Sequence, residues 1–154
     1  MSELAIQLDN GVMMAESRHI PGLFALGRLA LTEDPAPNQR ISGDKLQKLA
    51  EVCVLQTQNF AVVSTVDGKV VAGLCALVHD QMVYERKQAS VVQFYTTVPG
   101  EGIKLIRMFL EWARSKRQVK SIVFTLETGA DPRIGKMLRR LGLTAEMPIF
   151  MEWR

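Results

Sequence analysis

Apolar positions along the chain recur at two different steps, and the changes between them mark out the elements. The stretch 16–31 is apolar and helical in part, with Pro21 and Gly22 expected to interrupt it. Ser42, Gly43 and Asp44 offer a cap to a helix carrying Leu46, Leu49, Ala50 and Cys53 at three- and four-residue steps. The step then shortens. Runs 60–66 and 69–78 are β-rich and joined by Asp67 and Gly68, residue types that suit the positive φ of a two-residue hairpin turn. A further β-rich stretch covers 82–98, in which Glu85, Arg86, Lys87 and Gln88 read as a turn or as the exposed part of a strand. Three antiparallel strands in a meander are the economical arrangement.

Beyond residue 102 the helical step returns. Ile103, Ile106, Phe109, Leu110 and Ala113 form an apolar stripe opposite Lys104, Arg107, Glu111 and Arg114, which predicts an amphipathic helix opening at Ile103. Residues 121–127 read as a strand. Asp131 and Pro132 supply an N-cap and a first-turn proline for a last helix with Ile134, Met137, Leu138 and Leu141 on its apolar face. Gly142 ends that helix as a left-handed residue. A short strand at 149–153 closes the chain, and its exposed edge would suit a homodimer. The order αα-βββ-α-β-α-β predicts an α+β fold around one mixed sheet.

Length and composition narrow the class. At 154 residues the chain matches one domain, 1–154, and Pro35 and Pro37 within the linker-like 33–38 break a helix without separating domains. A net charge of +3 from 19 basic and 16 acidic residues is too mild and diffuse to argue for nucleic acid. Cys53 and Cys75 sit in apolar surroundings and read as reduced core thiols of a cytoplasmic protein. With only His19 and His79 besides, no metal site is expected. No apolar run approaches the ~18 residues of a membrane span, and Met1, Ser2 and Glu3 show no basic region of a signal peptide.

One junction carries candidate chemistry. A strand ends near Thr97 and Val98, then Pro99, Gly100, Glu101 and Gly102 lead straight into the helix at Ile103. Glycines let a ligand approach the backbone, and a helix N-terminus offers unpaired N–H groups and the positive end of its dipole. Phosphate or pyrophosphate is the natural guest of such an end. A tight turn with no ligand is the plain alternative, and Glu101 argues against an anion unless its carboxylate points away. A nucleotide-binding module of another fold would use the same turn.

The C-terminal part resembles the GNAT family of N-acetyltransferases, whose acyl-CoA loop reads Gln/Arg-x-x-Gly-x-Gly/Ala. Thr97, Val98, Pro99, Gly100, Glu101 and Gly102 stand at those positions, and the helix from Leu105 to Ala113 is similar to the one that follows the loop. The run from Asp131 to Leu143 looks like the family's second C-terminal helix with its Leu-Gly-Phe ending. Small bacteriophage-encoded members also carry a Met-x-Ala-Glu-Ser stretch, which Met13, Met14, Ala15, Glu16 and Ser17 echo. The resemblance covers roughly residues 58–154 as the sheet and acyl-CoA-binding core. It extends weakly to 1–57 as a helical substrate-side region.

That resemblance implies a splayed, mostly antiparallel sheet flanked by helices, with acetyl-CoA as cosubstrate and an amine on a protein or small molecule as acceptor. The pantetheine arm would pair with the backbone at Phe94, Tyr95, Thr96 and Thr97. The pyrophosphate would sit on amides from Val98 through Pro99, Gly100, Glu101, Gly102 and Ile103 to Lys104. Asp131 stands where an asparagine often begins the last helix, and an N-cap role alone would explain it. Arg133 and Lys136, with Arg140, could meet the CoA 3′-phosphate or an acidic partner, but their helical spacing reads first as a solvated basic face. Three departures bear on catalysis. Leu138 replaces the tyrosine that often protonates the thiolate, Thr97 replaces the Gln/Arg of the loop, and Glu101 adds negative charge. The candidates for acid and base are Tyr95, Glu85 and Glu16. The alternative to an enzyme is a degenerate member of the same fold that binds and modulates a host protein, with CoA as an optional ligand.

Overall fold

The computed structural model describes residues 9–33, 40–126, 131–152 and 154. Five strands form one sheet: β1 (Gly11–Met14), β2 (Phe60–Val66), β3 (Lys69–Asp80), β4 (Lys87–Thr96) and β5 (Val119–Phe124), in that spatial order. All neighbours are antiparallel except β4 and β5, which are parallel. Helices α1 (Ile20–Glu33), α2 (Gly43–Leu55), α3 (Glu101–Ser115) and α4 (Pro132–Arg140) complete the order, with a 3₁₀ turn at Ser17–His19 before α1. The α+β class and the mixed, mostly antiparallel sheet are those expected from the pattern.

The two-residue period of the strands divides the core. Phe60, Val62, Leu74 and Ala76 face α3 and α4, where they pack on Leu105, Ile106, Phe109 and Leu138. The residues between them, Ala61, Val63 and Cys75, face α1 and α2 and pack on Leu23, Leu26, Ala50 and Cys53. Both faces of β2 and β3 are therefore covered, which explains why these strands read as nearly continuous apolar runs. Asp67 at φ 49° and Gly68 at φ 78° make the tight turn between them.

Local chemistry sets the helix ends. Ser42 Oγ accepts from the Lys45 amide at 3.3 Å and caps α2. Asp131 caps α4 through the Arg133 amide at 2.9 Å. Gly142, at φ 103°, closes α4 with the Leu143 amide on the Leu138 carbonyl and its own on Arg139.

Several expectations need correction. Pro21 does not interrupt α1. It lies in the first turn, where its missing N–H costs nothing. β1 escaped the sequence reading because four residues at a sheet edge, two of them exposed, carry too little alternation. Residues 82–86 form the β3–β4 loop rather than strand, and α3 opens at Glu101, two residues before Ile103. Residues 149–152 form no strand. The linker positions 34–38, the end of the predicted strand at residue 127, and Trp153 lie outside the described residues. Among the described residues no helix is long and apolar enough to cross a membrane, and no cluster of His, Cys, Asp and Glu could hold a metal.

The core makes a direct prediction. Phe109 is fully buried against Phe60, with ring centroids 5.6 Å apart. Phe109→Ala should cost about 3–5 kcal/mol of unfolding free energy, whereas Leu55→Ala, at a position 58% exposed, should cost less than about 1 kcal/mol. Urea denaturation midpoints of the two variants check the contrast.

Candidate active site

Pairing between β4 and β5 runs from Lys87 opposite Val119 to Val91 opposite Phe124, and there it stops. β4 continues to Thr96 beside β3 alone. The two parallel strands therefore part, and among the described residues the β4 backbone over 92–96 has no strand partner on the β5 side. A β-bulge at this point places Val92 between the pairs Ala76–Val91 and Cys75–Gln93. The extra residue turns Phe94 toward α3, where it packs with the core of that face, and Tyr95 toward α1 and α2.

The chain leaves this mouth through the predicted turn. Gly100 is the N-cap of α3, at φ 85°, and a Cβ built on it would meet nothing within 4 Å. No side chain caps the helix. The Thr97 amide is held by the Val71 carbonyl at 2.8 Å and the Val98 amide by Thr96 Oγ1 at 3.2 Å. Pro99 has no donor, and the Lys104 amide belongs to the first helical hydrogen bond. The candidate anion-binding amides thus narrow from the stretch 98–104 to Gly100, Glu101, Gly102 and Ile103. The Thr97 hydroxyl is spent on the Val71 carbonyl at 2.7 Å, so it does not stand in for the Gln/Arg of the acyl-CoA loop.

The second glycine has another cause. A Cβ on Gly102 would come within 2.9 Å of Cζ of Phe94. That ring in turn meets Phe124 edge-on, with centroids 5.4 Å apart. Gly102 is small so that α3 can close on the wedge between the parting strands. Glu101 points away from the helix axis, accepting from Ser64 Oγ at 2.7 Å and from Lys104 Nζ at 3.0 Å. The Ser64 hydroxyl, aided by Lys104, holds its carboxyl below the usual range. Its negative charge is tied to β2, which answers the objection raised from sequence. Ser64 itself gave no signal in the sequence, being one small polar residue inside an apolar strand.

The catalytic candidates do not converge. Tyr95 is at the mouth, where the Glu33 carboxylate at the end of α1 accepts from its hydroxyl and pushes its pKa up to about 12, with burial adding to the effect. Glu33 was read only as the edge of a linker. Glu85 lies in the β3–β4 loop, about 30 Å from Thr96 along the ten residues of β4. Glu16 stands beside the β1 edge in a capping box with His19, and Arg18 pairs with its carboxylate. His19 is buried, accepting from the Glu16 amide at 2.9 Å and facing Asp9 at 3.0 Å. On α4, the Arg133 guanidinium folds back on Asp131 at 2.7 Å, while Lys136 stands exposed. Leu138 is buried among the residues packed against α3.

The fold that carries this site is similar to that of solved acetyltransferases. An aminoglycoside acetyltransferase from an uncultured soil metagenomic sample aligns over 99% of this chain and 98% of its own, with TM-score 0.66 and 20% identity. A possible acetyltransferase from Clostridium difficile 630 aligns over 93% and 95%, with TM-score 0.68 and 14% identity. A ribosomal-protein-alanine N-acetyltransferase from Brucella melitensis aligns over 96% and 99%, with TM-score 0.62 and 16% identity. The fold is that of the GNAT-type acetyltransferases. No protein-family model matches the chain, and no curated protein matches it.

The tether of Glu101 gives a pH test. Because its folded pKa lies below the ordinary 4.5, its contribution to stability is present above that value and is lost as pH falls through the lowered one. Glu101→Gln should therefore be less stable than the wild-type chain at pH 7, and the gap should shrink toward pH 3. Urea midpoints at the two pH values measure it, and an equal gap at both would exclude the tether.

Proposed function

We propose that the chain is a GNAT-type N-acetyltransferase that takes acetyl-CoA as cosubstrate and an amine as acceptor. The observation that carries this reading is the uncapped N-terminus of α3, with Gly100 open beside it, at the mouth where β4 leaves β5. The residues present fit the cosubstrate. The amides of Gly100, Glu101, Gly102 and Ile103 suit a pyrophosphate, and the unpaired backbone of 92–96 suits an amide-bearing arm laid alongside it. Lys136, with Arg133 once released from Asp131, supplies cations for a further phosphate. When bound, acetyl-CoA brings the acetyl group as a thioester, already activated toward an amine.

The chain then has two tasks. It must orient the amine, which accounts for most of the rate in a direct transfer, and it must handle one proton. Glu33 at the mouth attracts a cationic ammonium and is the base that can take its proton. Tyr95 keeps its own proton up to about pH 12 and so serves as the hydrogen-bond donor that orients the Glu33 carboxylate. The neighbours named for aminoglycosides and for a ribosomal-protein alanine support an amine acceptor in general. On this reading the protein works in a reducing compartment such as the cytoplasm, where Cys53 and Cys75 stay thiols.

A second reading rests on Leu138. A buried leucine where an acid is usual suits a binding protein that keeps the fold without efficient transfer, such as a phage protein that modulates a host target. Incubation of the purified protein with acetyl-CoA and lysate, followed by mass spectrometry, separates the two: new acetyl groups on amines support the enzyme.

Calorimetric titration tests the site itself. Asn and Asp both tolerate positive φ, so Gly100→Asn and Gly100→Asp should fold alike. The Asp variant, with its charge beside the pyrophosphate amides, should bind acetyl-CoA at least about tenfold more weakly than the Asn variant. Equal affinities would remove the assignment. In steady-state assays Glu33→Gln should lower kcat by about 10²-fold or more, and Tyr95→Phe by less.

A further inference from the structure

At the end of the sheet away from the candidate active site, the fold gathers charge that looks diffuse along the chain. Two adjoining cavities open there, of about 470 Å³ and about 300 Å³, and they share Lys87 and Gln118. Arg86, Lys87, Lys116, Arg117 and Lys120 line them, against two carboxylates, Asp80 and Glu85. That excess of three positive charges equals the net +3 of the whole chain, so outside this trough the formal charges cancel. Lys87 pairs with Asp80 at 3.1 Å, whereas Lys116, Arg117 and Lys120 have no carboxylate partner among the described residues. Neighbouring cations repel one another and give the fold nothing, and an anion is what would stabilise them. One wall of the trough is held in place. Gln81 Nε2 donates to Ser121 Oγ of β5 at 3.2 Å and to Gln88 Oε1 of β4 at 3.0 Å, while Arg86 Nε donates to Gln81 Oε1. The loop so fastened sets the Arg86 guanidinium over one face of the Tyr84 ring, 4.5 Å from its centroid. Tyr84 is 62% exposed, which leaves the other face to a ligand.

We propose that this trough binds single-stranded RNA, with the phosphodiester chain on Lys116, Arg117 and Lys120 and a base stacked on Tyr84. Cations beside an exposed aromatic ring are the combination that holds single strands, the cations following the backbone and the ring taking a base. An acidic peptide would satisfy the cations and leave the ring in water. A duplex would bring phosphates but no free base face. The second cavity adds the exposed, uncharged side chains of Thr57, Gln58 and Gln118, which can donate to and accept from a ribose 2′-hydroxyl. A deoxyribose strand has no such group to offer them. The trough begins at Lys87, about 30 Å along β4 from Thr96. RNA bound there leaves the α3 amides free, and the inference does not rest on acetyl transfer.

Fluorescence anisotropy of a labelled oligouridine of about twelve residues tests this without reference to catalysis. The wild-type chain should bind it with a Kd of about 1–100 μM near physiological salt. Three neutralised phosphates predict a log–log salt slope of about −2, at ~0.7 per contact on a single strand. Joint replacement by Arg117→Gln and Lys120→Gln should weaken binding at least about tenfold and bring the slope to about −0.7. Tyr84→Ala should weaken it about tenfold with the slope unchanged. All three positions are exposed, so the variants should keep the wild-type circular dichroism spectrum. Lys45→Gln with Lys48→Gln, at exposed positions of α2, removes the same charge and should leave the affinity as it was. The DNA strand of matching sequence should bind at least about threefold more weakly, and saturating acetyl-CoA should not displace the RNA. The proposal is overturned by no binding up to about 100 μM, by an equal loss in the α2 pair, or by wild-type affinity in Tyr84→Ala. It is equally overturned by DNA bound as well as RNA, by displacement with acetyl-CoA, or by polyglutamate competing as strongly as unlabelled RNA.

Discussion

The contact of Gly102 with the Phe94 ring fixes where α3 begins, and the candidate site depends on that position. The gap between them leaves no room for a single methyl group. Because the ring also leans on Phe124 of β5, one side chain both wedges the parting strands and seats the helix. Glu101 fastens the same turn from the other side, through Ser64 of β2. The helix end is thus held by two strands, and its amides face the gap with little freedom. Rigid placement is what an anion site of backbone donors requires, since the donors cannot reorient to follow a guest.

The wedge exists because of one extra residue. Without the bulge at Val92, strict alternation from Val91 would send Phe94 to the α1 side and Tyr95 to the α3 side. The bulge exchanges them. It puts an aromatic filler under the anion loop and a phenol on the face where α1 ends in Glu33. On the proposed reading, the separation of a cosubstrate side from an acceptor side follows from this single break of register.

That break also explains what the sequence could reveal. The hairpin, the amphipathic α3, the capped α4 and the glycine turn were all legible, because each rests on local periodicity or on residue types with strong backbone preferences. The side to which Phe94 and Tyr95 point was not, since a bulge leaves no residue-type signal in a run of Val, Val, Gln, Phe and Tyr. Gly102 was legible as important but for the wrong reason. Its small size serves Phe94, a partner eight residues away that only the fold brings back. Glu33 and Ser64 gave no signal, because each acquires its role from a residue distant in the chain: Tyr95 for the one, Glu101 for the other. The expected strand at 149–153 failed for a different cause. Strand propensity is a preference for a neighbour, and residues 149–152 are paired with no strand.

The buried Leu138 constrains any account of the chemistry. A hydrocarbon packed against α3 cannot be recruited to protonate a leaving thiolate by a rotamer change, because the core behind it has no space to give up. Acid assistance must then come from the other side of the gap or from water. Tyr95 has a single proton, which Glu33 holds to about pH 12, so on the proposed reading it orients that carboxylate and leaves the thiolate to be protonated by water. A thiolate is itself a tolerable leaving group, so positioning of the amine and a base for its proton can suffice. Among the described residues, Glu33, Tyr95 and the α3 amides are the set on which the proposed reading rests.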